Sequence, residues 1–323
     1  MSEIDVNDVS KAYGSVQALD GLSLSVDRGS SVGVFGTNGA GKTTLFKLLV
    51  GLDRPDEGAI RVCGADPTSG LRVRERVRYL PEQTGFPPTL TGREILSFHA
   101  RVRSVPTGRR DRHVERVLRT VGLREAADRR VGGYSNGMNR RLGLGTALIG
   151  GPAVLLLDEP TAGLDPEGIA AFHDVVSSLT AQTDITLVFS SHALSEIERL
   201  CDRAVIVADG HVAADGPVES LRRDAAEGVT LSLVLSDSDD VAPAAETVRA
   251  ADANATVSRR GATLEIECPR EAAYDLLTAV GERSDLDRFE VSEPGLEAAF
   301  YEAVGADRSP PDRTKHGAGG ELP

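Results

Sequence analysis

The stretch that decides the fold lies near the start of the chain and reads Gly36-Thr37-Asn38-Gly39-Ala40-Gly41-Lys42-Thr43-Thr44. The apolar run Val32 to Phe35 precedes it, and Thr43 to Val50 follows it with helical apolar spacing. Glycines let a backbone curl until successive N–H groups point at one anion, and a helix N-terminus adds partial positive charge. A G-x-x-x-x-G-K-T loop between a strand and a helix predicts a nucleotide phosphate site. In such a site Lys42 reaches the β- and γ-phosphates and the Thr43 hydroxyl ligates Mg²⁺.

A second apolar run, Val154 to Leu157, ends in two carboxylates, Asp158 and Glu159. Short runs of this kind are typical of parallel strands buried on both faces, and such sheets bind ligands at the carboxyl edge of their strands. The pair predicts Asp158 as a Mg²⁺ ligand and Glu159 as the general base that polarises the attacking water. A chance glycine turn or a solvated acidic turn would explain either segment alone, but explains both together poorly.

The first ~220 residues alternate strand and helix patterns, which is typical of an α/β domain. Leu22, Leu24 and Val26 alternate with polar residues and predict a half-buried strand, and Thr186 to Phe189 predicts another buried one. Residues 91–150 are helical in character, with a capping box at Thr91 and Glu94. We interpret this segment as a helical insertion within the α/β unit.

The pattern changes after Arg223, where strands and helices follow in the order β-α-β-β-α-β, from Thr230 to Val291, with a last helix over Leu296 to Val304. This order predicts a small α+β domain of ferredoxin-like type. Residues 306–323 are rich in Gly, Pro and charge, which favours a disordered tail. The predicted domains are therefore residues 1–222, 228–305 and the tail.

Several further motifs together resemble one family, the ABC-transporter ATPases. Tyr134-Ser135-Asn136-Gly137-Met138 resembles the family's signature motif, in the form seen in many ABC-2-type exporters. Gly163-Leu164-Asp165-Pro166 resembles its D-loop, Ser190-Ser191-His192 its switch histidine, and Tyr13 its adenine-stacking aromatic. The order and spacing match, and the resemblance covers about residues 3–221.

The resemblance implies a P-loop NTPase fold, with a RecA-like core, an antiparallel β subdomain and a helical signature subdomain. It also implies a homodimer that packs head to tail around two Mg-ATP. Ser135 and Gly137 would then contact the γ-phosphate held by the other subunit, and His192 would hold the catalytic geometry. Asp165 would be a further nucleotide-binding residue. Tyr13 would stack on adenine, with a core tyrosine as the alternative, and the partner would be an ABC-2-type permease.

Three positions depart from the family pattern. Thr37 replaces a frequent proline in the phosphate loop, and Asn136 replaces the second signature glycine. Asn tolerates left-handed backbone better than most residues, so the second change is compatible with the motif. In Tyr79-Leu80-Pro81-Glu82-Gln83 the family's glutamine position falls on Glu82, with Gln83 beside it. Glu82 is therefore a candidate Mg²⁺ or water ligand, and the assignment between Glu82 and Gln83 stays open.

Composition restricts the remaining classes of protein. The 323 residues carry a net charge of -13, which disfavours general nucleic-acid binding because phosphate is repelled. No apolar run approaches the ~20 residues of a bilayer span, and residues 1–10 contain no apolar signal core. Three isolated cysteines suit a reducing cytoplasm. We expect a peripheral protein at the cytoplasmic face of the membrane. Its acidity favours a halophilic source, whereas the excess of arginine over lysine is equally explained by a GC-rich genome.

The sequence is also compatible with other functions of ABC-type ATPases. Soluble ABC ATPases act on ribosomes or DNA, but usually with coiled coils or tandem cassettes that this chain lacks. The stretches 79–103 and 134–144 also resemble the ATPase of the nitrous-oxide-reductase maturation system, which is linked to copper-site assembly. The ending 291–300 resembles a C-terminal extension of ABC-2-type ATPases. Dense arginines at 72–78 and 109–112 fit a solvated, ion-paired surface better than a membrane contact.

Overall fold

The computed structural model describes residues 2–69, 71–224, 228–252, 255–292, 296 and 300. In chain order the strands are β1 (Ser2–Tyr13), β2 (Val16–Asp27), β3 (Ser31–Phe35), β4 (Glu57–Val62), β5 (Val77–Leu80), β6 (Val154–Leu157), β7 (Thr186–Ser191), β8 (Arg203–Ala208), β9 (His211–Pro217), β10 (Val229–Leu235), β11 (Thr256–Arg260), β12 (Thr263–Cys268) and β13 (Leu286–Ser292). The helices are α1 (Lys42–Leu49), α2 (Leu71–Arg76), α3 (Gly92–Val102), α4 (Arg110–Thr120), α5 (Asn136–Leu148), α6 (Pro166–Gln182), α7 (Leu194–Leu200), α8 (Val218–Asp224), α9 (Val241–Ala251) and α10 (Arg270–Gly281).

The central sheet runs in the order β5-β6-β7-β3-β8-β9. Neighbouring strands are parallel except β8 and β9, which form an antiparallel hairpin. Strands β3, β6 and β7 are buried along their whole length, which explains their nearly continuous apolar sequences. The prediction of buried parallel strands at these three runs is confirmed. Their carboxyl ends meet at one edge of the sheet, where the predicted phosphate loop and acidic pair emerge.

An antiparallel sheet in the order β2-β1-β4 covers the phosphate-loop side of the molecule. Its apolar side chains share one core with α1, for example Val6, Leu24 and Phe46. At Gly58 the backbone is left-handed, with φ of +82°, and a Cβ would lie 2.2 Å from the Asp8 carbonyl oxygen. Only glycine fits there. The alternation at residues 22–26 correctly predicted β2.

Helices α3, α4 and α5 form the predicted helical insertion. The capping box is confirmed, because Thr91 Oγ1 accepts the Glu94 N–H at 3.2 Å and the Glu94 carboxylate accepts the Thr91 N–H at 2.9 Å. Gly122, with φ of +64°, follows α4 as a stop. These helices pack on the central sheet through a continuous apolar core that includes Leu96 and Leu118.

Strands β10 to β13 and helices α9 and α10 follow in the predicted order β-α-β-β-α-β. Their antiparallel sheet has the order β11-β12-β10-β13 and a core of its own around Leu231, Val248 and Leu276. Of the predicted last helix, only Leu296 and Phe300 are described, and Phe300 packs edge-on against Phe35 with ring centroids 4.9 Å apart. The predicted tail lies outside the described residues, and the domain limits stay predictions. No helix within the described part of the chain is both long and apolar enough to cross a membrane.

Candidate active site

The phosphate loop connects β3 to α1 and depends on close backbone contacts. A Cβ on Gly36 would lie 2.5 Å from the Val207 carbonyl oxygen. Gly41, the N-cap of α1, has φ of +105°, and a Cβ there would lie 2.4 Å from the Ala18 carbonyl oxygen. Both positions therefore require glycine, and the loop opens directly into the positive end of α1. Residues 36–41 form the loop and residues 42–44 begin α1, where the Thr43 side chain is exposed.

Lys42 is almost fully buried, with 6% of its surface exposed. Its Nζ donates to the Gly36 carbonyl at 2.5 Å and to the Thr37 carbonyl at 3.3 Å. The same Nζ lies 3.2 Å from Glu159 Oε1. The ammonium therefore sits between the loop backbone and the acidic pair, which is the position from which a compact point charge can reach phosphate oxygens.

Asp158 follows β6 and is 1% exposed. Its Oδ1 accepts the Ser190 hydroxyl at 2.8 Å and its Oδ2 accepts the Tyr79 hydroxyl at 2.9 Å. Burial and the neighbouring Asp158 raise the pKa of Tyr79, so the phenol stays a neutral donor. Both partners of Asp158 are hydroxyl groups, which fix the carboxylate but leave its negative charge and further lone pairs available to a cation.

Glu159 lies between Lys42 and His192. Its backbone is left-handed, with φ of +42°, a conformation that costs about 1–3 kcal/mol outside glycine and often marks functional sites. The Ser190 hydroxyl accepts its N–H at 2.9 Å. Glu159 Oε2 contacts His192 Nδ1 at 2.8 Å, whereas Oε1 is buried and has no hydrogen-bond partner among the described residues. The structure therefore joins Lys42, Asp158, Glu159 and His192 in one cluster.

Ser135, Gly137 and Asp165 lie in a second cluster, at the neighbouring N-termini of α5 and α6. Ser135 Oγ accepts the Met138 N–H at 3.2 Å, and Asp165 Oδ1 accepts the Gly168 N–H at 2.8 Å, so each residue caps its own helix. The two helix termini lie close together, because a Cβ on Gly137 would lie only 3.4 Å from Gly168 Cα. Ser135 and Asp165 are exposed. This cluster presents two helix N-termini to the outside of the subunit.

Tyr13, at the end of β1, is 45% exposed. Its hydroxyl donates to Asp53 Oδ2 at 2.7 Å, and Lys11 Nζ lies 5.4 Å from the ring centroid. The bond to Asp53 raises the pKa of Tyr13, while the nearby Thr44 hydroxyl works in the opposite direction. The ring thus stands beside the last residue of the phosphate loop, held by its hydroxyl and with surface open to a base.

Glu82 and Gln83 follow β5 with exposed side chains. Glu82 lines an open cavity of about 480 Å³, together with Tyr134 and Leu164. The cavity lies between the segment after β5, the signature motif at residues 134–138 and the loop that leads into α6. Since both side chains are exposed, the choice between Glu82 and Gln83 stays open.

Sequence reasoning missed four polar residues that fix the site: Tyr79, Arg140, Ser190 and Glu196. Ser190 belongs to the predicted histidine motif, and its place as a polar residue at the end of a buried strand is a usable signal for a site residue. Glu196 Oε2 accepts hydroxyl hydrogen bonds from Thr161 and Ser191, both at 2.8 Å. It therefore joins the segment after Glu159 to the residue before His192.

A glycine phosphate loop and an acidic pair at the carboxyl edge of a parallel sheet define a P-loop nucleotide-binding protein. Comparison with known proteins identifies one family within this class. The family described as ABC transporter matches residues 19–162. The chain is 37% identical over 221 residues to "Bacitracin transport ATP-binding protein BcrA" of Bacillus licheniformis, covering 68% of this chain and 71% of that protein. It is 34% identical over 307 residues to "Daunorubicin resistance ATP-binding protein DrrA3" of Streptomyces coeruleorubidus, covering 94% and 96%.

A solved structure titled "Structure of ATP binding subunit of ABC transporter" superposes with a TM-score of 0.62 at 31% identity, covering 69% of this chain and 93% of that chain. The predicted P-loop fold class is therefore confirmed. The chain belongs to the ATP-binding subunits of the ABC transporter family.

Proposed function

We propose that this chain hydrolyses Mg-ATP as a head-to-tail homodimer and thereby drives a separate ABC-2-type permease, at the cytoplasmic face of the membrane. The observation that carries the catalytic part is the position of Glu159, whose Oε2 contacts His192 Nδ1 at 2.8 Å while Oε1 is buried without a hydrogen-bond partner in the described chain. Oε1 faces Lys42 Nζ at 3.2 Å and becomes available as a general base when that ammonium moves to the phosphate oxygens.

The chemistry follows from this arrangement. Lys42 exchanges its contacts with the loop carbonyls for β- and γ-phosphate oxygens, and the N–H groups of residues 36–44 bind the same phosphates. Glu159 Oε1 takes a proton from the attacking water as the oxygen of that water bonds to γ-phosphorus. The bond to the ADP oxygen breaks, and ADP and phosphate leave. His192 holds the opposite carboxylate oxygen and so fixes the direction of the base.

A Mg²⁺ ion fits the oxygen donors beside the loop. Within the described residues, the Asp158 carboxylate accepts hydrogen bonds from two neutral hydroxyls, those of Ser190 and Tyr79. Mg²⁺ is commonly held by one or two carboxylates together with substrate phosphates and water. Thr43 and Asp158 would hold the ion, with Glu82 as a further candidate. When bound, it would neutralise charge on the phosphate oxygens.

The homodimer is supported by the outward-facing cluster of Ser135, Gly137 and Asp165. Ser135 and Asp165 are exposed at neighbouring helix N-termini, and such termini suit the phosphate of a nucleotide held by a second subunit. Closure driven by ATP would then move the permease, because ATP would favour the closed state over the open one.

The relatives support an exporter as the transport class. Besides the bacitracin and daunorubicin proteins, "Nod factor export ATP-binding protein I" of Burkholderia orbicola is 39% identical over 222 residues, covering 68% of this chain and 73% of that protein. An ABC-2-type permease fits these names. The narrower resemblance to the nitrous-oxide-reductase maturation ATPase stays a prediction.

Two measurements on the full chain test the proposal. We expect purified protein to release phosphate from Mg-ATP, and Glu246→Gln, on the exposed face of α9, to match it as a control variant. We expect the tagged chain to co-purify from native membranes with a polytopic protein of about six apolar spans. Absence of phosphate release, with and without that partner, would contradict the enzymatic part. Salt-sensitive recovery of ribosomes or DNA instead of a permease would favour the alternative function.

A further inference from the structure

Arg140 lies on α5, five residues after Ser135, and is only 5% exposed. Its guanidinium has five N–H groups, and each has a backbone carbonyl as acceptor. Nε donates to Pro160 at 2.5 Å, and Nη2 donates to Asp158 and Glu159, both at 3.0 Å. Nη1 donates to Pro81 at 2.6 Å and to Glu82 at 2.7 Å.

These five carbonyls belong to two separate turns. One turn follows β6 and carries Asp158 and Glu159, and the other follows β5 and carries Glu82. A single side chain therefore ties both turns of the candidate site to α5, which begins in the signature motif and is called the signature helix below. Its most distant partner, Pro81, is 59 positions away in the chain. All five hydrogen bonds end on residues 81–82 and 158–160 and none on Lys42 or the phosphate loop, so the effect of Arg140 on the reaction passes through the backbone that it holds.

The side chain stays charged in this position. Burial lowers the pKa of Arg140 to about 10, while the nearby carboxylates of Asp158 and Glu82 act in the opposite direction. The guanidinium is thus protonated at neutral pH and makes charge-assisted hydrogen bonds, which are stronger than neutral ones. The left-handed backbone of Glu159 needs such an outside constraint, because it is intrinsically unfavourable.

We infer that Arg140 is a positioning residue, which couples the position of the signature helix to the orientation of the Glu159 carboxylate. When α5 shifts, the peptide groups of residues 158–160 and 81–82 shift with it, since all five bonds run to one rigid planar group. The general base would then be correctly directed only when the signature segment is in its working position. This inference rests on the proposed ATPase function.

Lysine cannot replace this side chain, because an ammonium has three donors and no planar fork. Arg141 provides a matched control on the same helix. Its Nη1 donates to the carbonyls of Val121 at 3.3 Å and Gly122 at 3.2 Å, which lie beside α4 and far from the acidic pair in sequence.

The test compares Arg140→Lys, Arg140→Gln and Arg141→Lys in the full chain. Steady-state hydrolysis of Mg-ATP gives kcat and KM. We expect kcat to fall about 10- to 100-fold in both Arg140 variants, as for a misplaced catalytic group, with KM within about threefold. Arg141→Lys should keep kcat within about threefold. Wild-type kcat in Arg140→Lys, or an equal loss in Arg141→Lys, would overturn the inference.

Hydrogen exchange on the nucleotide-free proteins separates this inference from the proposed function. We expect faster amide exchange in peptides covering residues 79–85 and 155–165 of the Arg140 variants, and unchanged exchange there in Arg141→Lys. If the wild type hydrolyses no ATP, the function fails, and the exchange pattern still decides the role of Arg140. Unchanged exchange would contradict the coupling. Failure of both Arg140 variants to fold would contradict it as well, since Arg140 would then support the fold as a whole.

Discussion

Glu159 Oε2 lies 2.8 Å from His192 Nδ1 and also accepts the His192 backbone N–H at 3.3 Å. The carboxylate that follows β6 is therefore fixed by the residue that follows β7, two strands that are hydrogen-bonded neighbours in the sheet. The remaining oxygen of Glu159 faces Lys42. This contact fixes the direction of the Glu159 carboxylate, as a general base requires.

Removing the imidazole should leave the base present but poorly directed. Because the His192 side chain is 62% exposed, we expect His192→Ala to fold with near wild-type stability. Its kcat should fall about 10²-fold or more while ATP affinity changes little. Phosphate release and nucleotide titration measure the two effects. His211→Ala, an exposed histidine on β9, is the control, and an equal loss of kcat there would argue against a specific role for His192.

The exposed helix cap at Ser135 offers a test of the dimer. Ser135→Asp keeps a capping oxygen for the Met138 N–H but adds negative charge where the partner's phosphate would bind. We expect monomer ATP affinity and stability to be retained, and the ATP-dependent dimer and hydrolysis to be lost. Light scattering with and without Mg-ATP measures the dimer. Ser135→Arg should block closure by size, and normal hydrolysis in either variant would contradict the head-to-tail arrangement.

The ring of Tyr13 should contribute to base binding through stacking. A base–aromatic stack contributes about 1–3 kcal/mol, so Tyr13→Ala should weaken ATP binding about 10- to 100-fold without abolishing it. Tyr13→Phe loses the hydrogen bond to Asp53 but keeps the ring, and its affinity should remain within about threefold of wild type. Equal weakening in both variants would show that the hydroxyl, rather than the ring, is what matters.

Glu196 should make stability depend on pH. Burial by itself raises the pKa of Glu196. The imidazole of His173, whose Nε2 lies 3.5 Å from Glu196 Oε1, and the hydroxyl hydrogen bonds from Ser191 and Thr161 lower it overall below the ordinary value of 4.5. A carboxyl whose pKa is lowered by folding stabilises the protein above its unfolded-state pKa, and that contribution is lost as pH falls through the folded-state pKa. We therefore expect the stability difference between wild type and Glu196→Gln to shrink as pH falls below 4.5. Urea unfolding at several pH values measures it, and a constant difference would refute this account.

Much of the nucleotide site could be predicted from local sequence. The strands β3, β6 and β7 are continuous apolar runs, and the glycines and carboxylates that follow them are adjacent in the chain. The capping box of α3 is also a local pattern, and it is present. Such features need only the chemistry of neighbouring residues, so a single sequence contains their signal.

The supports of the site could not be predicted in this way. Arg140 stands beside Arg141 and resembles a surface residue in the sequence, yet tertiary packing buries it against two turns. Glu196 belongs to a helix of ordinary amphipathic pattern, and its partners Thr161 and Ser191 are distant in the chain or separated from it by a turn. Strands β1 and β4 of the β2-β1-β4 sheet alternate apolar and polar residues only briefly, at Ile4 and Val6 and at Ile60 and Val62, which is too short a pattern to predict a strand.

The central claim is that Glu159 is the base of an ATP hydrolysis reaction, and its carboxamide variant tests this most directly. In Glu159→Gln we expect single-turnover hydrolysis of Mg-ATP to fall about 10²- to 10⁴-fold, because an amide accepts no proton at neutral pH. ATP affinity should stay within about threefold, and an ATP-stabilised dimer should accumulate in light scattering. Hydrolysis at the wild-type rate in this variant would contradict the account.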